Sequence, residues 1–155
     1  MEGLFSEHIA SKVALRGNVD NAESARISMG KAHKLVFLVS VASLAEDLGI
    51  TLRQHDAAAA GNSKDLVISN PYFYKLDADA VATKVDAPDT ASIAGSELNN
   101  NAGYIAVEVL SEDLDVNGNF SYVSVQLADT TGAREGQVIA MSHMPRLKPA
   151  YEVEL

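Results

Sequence analysis

Apolar positions recur with a period of two along most of this chain. Ile105, Val107 and Val109 alternate with smaller or polar residues, and Val123, Val125 and Leu127 do the same. A period of two puts successive side chains on opposite faces of a strand, whereas a helix needs 3.6. Strands are predicted over 25–29, 34–43, 50–56, 64–69, 80–85, 104–110, 122–128, 137–141 and 151–155, with Tyr72, Phe73 and Tyr74 in a further extended segment. No long amphipathic helix is predicted.

The stretch from Lys34 to Ala57 organises the pattern. It reads KLVFLVSVAS, LAEDLG, ITLRQHDA. Two strand-like runs flank a short polar connection, which predicts a central hairpin. Leu35, Phe37, Val39 and Val41 share one face of the first run, with Val36 and Leu38 on the other. Apolar residues on both faces mark a central strand. Val36 and Leu38 are thus expected to be covered, by a second layer of the same chain or by a neighbouring subunit.

The connections carry turn chemistry. Gly and Asn tolerate positive φ, and Asp and Asn fold back on their own backbone. Such residues fill 16–21, 57–63 and 111–119, and the last predicts a turn that pairs 104–110 with 122–128. Residues 86–103 form the longest polar connection, and long loops are commonly functional. Leu4, Phe5 and Ile9 are spaced to share a helical face, so residues 1–11 are read as a short helix or an N-terminal arm and 12–155 as the folded domain. The fold class is all-β: a single antiparallel β-sandwich, with the jelly roll as one arrangement that the strand count allows.

Length and composition narrow the function more than they define it. A chain of 155 residues suits one domain and buries enough surface to need no disulfide or metal. It has no cysteine, which excludes thiolate zinc sites and thiol nucleophiles and fits folding in a reducing cytoplasm. A formal charge of −9 disfavours non-specific binding to nucleic acid or to an anionic membrane. The N-terminus lacks a signal-peptide pattern, and no apolar run approaches membrane-spanning length, so a soluble protein without a membrane partner is expected.

The sharpest local motif is Asp113-Leu114-Asp115-Val116-Asn117-Gly118, which matches the opening of a calcium loop. Asp113, Asp115 and Asn117 are weak calcium candidates. Position twelve of such a loop falls on Ser124, where a bidentate Glu is required. The plainer expectation is a hairpin turn in which Asn117-Gly118 supplies positive φ. The four histidines show no metal-ligand spacing, and no serine lies in a nucleophile-elbow motif. No phosphate-binding glycine motif occurs. No catalytic residue and no cofactor is therefore assigned, and an enzyme is not expected. Tyr72 and Tyr74 would share one face of a strand. They join Leu4, Phe5 and Ile9 as interface candidates, with Phe73 expected in the core.

Three segments carry a family resemblance. They are Ser24-Ala25-Arg26-Ile27-Ser28-Met29, His33 to Val39, and Ile50-Thr51-Leu52-Arg53-Gln54-His55-Asp56-Ala57 followed by Asn62-Ser63-Lys64. Together with Glu108-Val109-Leu110, Asp113-Leu114-Asp115 and Phe120, they resemble small virion proteins of tailed bacteriophages. The resemblance spans about residues 15 to 128 and consists of strand patterns. It implies a capsid decoration (cement) protein, made in the host cytoplasm and bound to the capsid surface. The implied partner is the major capsid protein, and the implied assembly is a homo-oligomer, with a trimer favoured. It transfers no functional residue. The alternatives are another head–tail or tail structural protein, a jelly-roll module binding carbohydrate or calcium, and a small hydrolase on a sandwich scaffold.

Overall fold

The structure is a computed structural model of the chain and describes residues 9–44, 49–76, 79, 81–93, 101–128 and 135–143. Its strands are β1 (Ile9–Asn18), β2 (Ile27–Ser28), β3 (Lys34–Leu44), β4 (Gly49–His55), β5 (Ser63–Asp65), β6 (Tyr72–Leu76), β7 (Thr83–Val85), β8 (Ser92–Ile93), β9 (Asn101–Leu110), β10 (Tyr122–Ala128) and β11 (Glu135–His143). Two 3-10 turns, Ser111–Asp113 and Val116–Gly118, separate β9 from β10.

The strands form two antiparallel sheets. One has six strands in the order β1-β11-β3-β9-β6-β7. The other runs β2-β10-β4-β5, and β8 pairs with β4 beside β5. The inward faces meet in a single core, so the molecule is an all-β sandwich. Leu35, Phe37 and Val39 of β3 pack with Ile105 and Val107 of β9 on one side, and Leu52, Val123 and Val125 face them from the other. Each large aliphatic or aromatic side chain removed from water contributes roughly 1.5–3 kcal/mol. That is why strict alternation in β3, β9 and β10 fixes which face turns inward.

Alternation located most strands, but pairing followed a different rule. The predicted hairpin between residues 34–43 and 50–56 does not form. β3 lies in the middle of the six-stranded sheet and β4 in the other sheet. The predicted pairing of 104–110 with 122–128 fails in the same way: β9 pairs with β3 and β6, and β10 with β2 and β4. Burial explains this. β3 and β4 both carry a core face, and each buries it against the other sheet as well as against its own neighbours.

Other boundaries shift. The loop expected over 16–21 begins later, because β1 continues to Asn18 after a bulge between Val13 and Leu15. At that bulge the Ala14 carbonyl turns away and accepts from the Ala25 amide at 2.8 Å, tying β1 to the segment that enters β2. Residues 9–11 belong to β1 and not to a helix, while residues 1–8 lie outside the described residues. β5 is shorter than the strand predicted over 64–69, although Leu66 and Ile68 still alternate into the core. The strand predicted over 151–155 lies outside the described residues. The 86–103 connection is anchored part-way: Thr90 and Ala91 carbonyls accept from Ile68 and Leu52 amides, and β8 follows. β9 and β6 approach so closely that a Cβ on Gly103 would lie 2.2 Å from the Lys75 carbonyl oxygen.

Candidate interaction face

The register of the six-stranded sheet assembles an apolar row on its outer side. Val13 pairs with Ile139, Ile139 with Leu38, Leu38 with Ala106, and Ala106 with Phe73. Their strand neighbours Val138, Ala140, Phe37, Val39, Ile105 and Val107 are buried in the core, so this row faces away from it. It crosses five strands, about 19 Å at 4.8 Å per spacing. Val13 is 54% exposed and Phe73 43%, so the row opens to solvent at both ends. Val36 and Met141 extend it on one side, paired with each other. Val36 and Leu38 are only half-buried. The second layer lies on the far side of β3, so the cover expected over them from this chain is absent among the described residues.

The rim of this face is polar. Arg16, Gln137, Ser40, Tyr104 and Lys75 form the next row on one side of the apolar one. Glu108 lies in the row on the other side, and Lys34 beyond it; the two form an ion pair. Glu135 and His143 sit at the two ends of β11. The register places Arg16, Lys34, Lys75 and Lys84 on this side against Glu108 and Glu135. Asp86 pairs with Lys84 at the edge, and among the described residues this side still carries more cations than acids on a chain of formal charge −9.

The aromatic triple is inverted relative to expectation. Tyr72 is 2% exposed and Tyr74 half-buried against the core, while Phe73 faces outward. Pairing decides this: Tyr74 lies opposite Ile105, a core residue, and Phe73 opposite Ala106 on the outer side. Tyr72 is thus a core residue, Tyr74 packs against the core, and Phe73 is the surface aromatic. Leu4 and Phe5 lie outside the described residues, and Ile9 opens β1.

A second constellation is a polar cluster beneath the outer side of the five-stranded sheet. His55 and Ser124 are both fully buried. Ser124 Oγ donates to Glu23 Oε1 at 2.6 Å and lies 2.7 Å from His55 Nε2. Glu23 Oε1 is also 3.1 Å from that nitrogen. Arg53 lies over the same carboxylate at 3.9 Å and donates to Ser63 Oγ at 2.7 Å. Arg26 closes the cluster by donating to the Ala57 and Ala60 carbonyls, pinning the alanine loop. Burial lowers the His55 pKa below its ordinary 6.5; the Arg26 and Arg53 charges push the same way, and Glu23 opposes them.

The cluster contains a serine, a histidine and an acid, but not as a nucleophile relay. A relay puts the acid on Nδ1, the base on the serine, and the serine open to substrate. Here the acid sits on the Nε2 side, Nδ1 has no hydrogen-bond partner among the described residues, and Ser124 has no exposed surface. The arrangement holds a neutral imidazole inside the fold. Sequence spacing could not join Glu23, His55 and Ser124, which come from three separate segments.

The calcium candidates do not converge on a shared ligand position. Asp113 Oδ1 accepts from Ser69 Oγ at 2.7 Å, and Oδ2 accepts from the Leu110 amide at 2.8 Å and Asn70 Nδ2 at 3.0 Å. Asp115 pairs with the Lys64 ammonium and accepts from the Gly118 amide. The hydrogen bond from Lys64 holds the Asp115 carboxyl below the usual carboxylate range, with the Gly118 amide adding to it. Lys64 also lies 4.7 Å from the centre of the Phe120 ring. An ammonium thus stands where a cation would need Asp115, and the residues do not fit calcium. Positive φ falls on Asn119 at 61° and not on the Asn117-Gly118 pair. Among the described residues, no three His, Cys, Asp or Glu side chains group as metal ligands.

No protein-family model matches the chain, and no curated protein matches it. Among solved structures it is similar to the crystal structure of SPBc2 prophage-derived protein YomS, with a TM-score of 0.46 and 14% identity over 86% of this chain and 93% of that one.

Proposed function

We propose that this chain is a structural virion protein of a tailed bacteriophage, one that binds the outside of the capsid and stabilises the shell. The observation that carries this reading is the outward apolar row from Val13 to Phe73 on an otherwise acidic molecule. A continuous apolar stripe with a polar rim is a surface for protein association. An assembly component works through such a surface.

The strand patterns that resemble phage virion proteins support the same reading. So does the strand order. The set β1-β11-β3-β9 opposite β2-β10-β4-β5 has the connectivity of a jelly roll, with β6 and β7 extending one sheet. The partner in this reading is the major capsid protein, and the protein acts as a homo-oligomer on the virion surface. In this reading the apolar row joins copies of the chain, and the N-terminal segment and the 86–103 connection are the candidates for shell contact. Stabilisation follows from mass action: a protein that binds only the expanded shell shifts the equilibrium toward it.

Co-sedimentation with empty shells tests this. Purified protein should bind expanded shells saturably and leave with them through a gradient. Absence of binding to shells in every maturation state would refute the reading. Binding only to tails or to the head–tail connector would move the protein to another place in the virion.

A further inference from the structure

We propose that the outer face of the six-stranded sheet is covered by the same face of a second copy, around a twofold axis that lies along the Val13–Phe73 row. The inference does not depend on the shell reading. Two observations select the arrangement: the apolar row is continuous, and the charges of the rim sit at mirrored distances from it.

Consider the partner sheet turned over about an axis along that row. Each strand then lies antiparallel over its own copy, and the row packs on itself, Leu38 near Leu38 and Phe73 near Phe73. Aligned sheets stack in this way at about 10 Å with a rotation of about 30°. Rows on one side of the axis face rows on the other. Glu135 and His143 lie four residues to either side of Ile139 on β11, so each Glu135 faces a partner His143, with Lys34 of the next strand beside it. Glu108 lies two residues from Ala106 on β9 and faces Tyr104, with Lys75 on the adjoining strand. Both acids on these strands then meet cationic or imidazole groups, while Lys84, opposite Phe73 at the end of the row, meets its own copy with Asp86 beside each ammonium.

The competing twofold axis runs along β3. It exchanges the strands on either side of β3, placing Lys34 on Lys34 and, with no acid in their row, Arg16 over Lys75. Like charges held together across an interface are costly. Charge therefore discriminates between two arrangements that the apolar row alone allows. A closed pair is also the commonest symmetric assembly. It differs from the trimer implied by the family resemblance, which needs a contact between two different surfaces.

Sedimentation analysis of the full chain over a concentration series into the millimolar range tests the proposal. The wild type should run at twice the chain mass. Leu38→Lys, on the axis and half-exposed, should run as a single chain with an unchanged circular dichroism spectrum; Phe73→Lys provides the same test at a site still further from the core. Glu135→Lys should weaken the pair about tenfold, and adding His143→Glu should restore it, because the swap places an acid opposite the new lysine. A wild type that remains single at every concentration overturns the proposal, and so does a mass of three chains. A pair that is indifferent to both Leu38→Lys and Phe73→Lys overturns the choice of face. Failure of the charge swap to restore the pair overturns the axis.

Discussion

His55 Nε2 lies 2.7 Å from Ser124 Oγ, across paired strands of the five-stranded sheet, and both residues are fully buried. Since Ser124 donates its proton to Glu23, its oxygen is free to accept from an Nε2–H. The imidazole is then neutral, with a bare Nδ1 that has no partner among the described residues. Burial is the main reason that its pKa falls below 6.5 in the fold.

That shift makes stability depend on pH, and its sign follows from linkage. The unfolded chain binds a proton at His55 more readily than the folded chain does. The contribution is therefore complete above the unfolded value of 6.5, and it is lost as pH falls from there through the depressed folded pKa. Urea midpoints should decline between neutral and mildly acidic pH, and His55→Gln should flatten that decline. A midpoint that is unchanged or rises over this window would contradict the account.

Adjacent positions in β6 should behave oppositely. Tyr72 is 2% exposed and Phe73 is 43% exposed. Tyr72→Ala should cost about 3–5 kcal/mol of folding stability, the usual range for emptying a buried aromatic site. Phe73→Ala should cost about 1 kcal/mol or less in a dilute single chain, because it forfeits little packing. Urea denaturation of the two variants measures both. Equal losses would contradict the facing of this strand.

The 110–120 turn should ignore calcium. Melting temperature should be the same with millimolar calcium and with chelator, because Asp113 and Asp115 spend their oxygens on protein donors. Asp113→Ala should destabilise by about 1–3 kcal/mol, since it strands several donors at once, one of them a backbone amide. Asp115→Ala should cost less, because its partners stand in solvent. A calcium-dependent rise in melting temperature would restore the ligand reading.

The sequence carried facing better than pairing. Alternation at Leu35, Phe37 and Val39, and again at Ile105, Val107 and Val109, identified core positions, because a period of two is a local property. It could not show that β3 and β4 enter different sheets. Nothing in Ile50 or Leu52 states which strand lies beside them, and adjacency in sequence favours a hairpin. The Tyr72-Phe73-Tyr74 triple has no alternation of polarity, so its facing was set only by pairing with β9. The doubly apolar start of β3 did mark a central strand, and Val36 and Leu38 do form part of a surface that has no cover among the described residues. The other members of the row, Val13, Ala106, Ile139 and Phe73, became visible only through register. Glu23 and Ser124 gave no signal at all, since a strand serine that becomes buried, and a loop acid that reaches over it, look like any other polar residues.

Shell stabilisation itself is the most direct test of the proposed role. Calorimetry of empty expanded shells should show their melting transition move upward as protein is added, and level off once the sites are filled. At a free concentration of a hundred times the dissociation constant, each site contributes about 2.7 kcal/mol to the bound shell. Saturable binding with an unchanged melting transition would show a protein that coats the capsid without cementing it, and would contradict the claim.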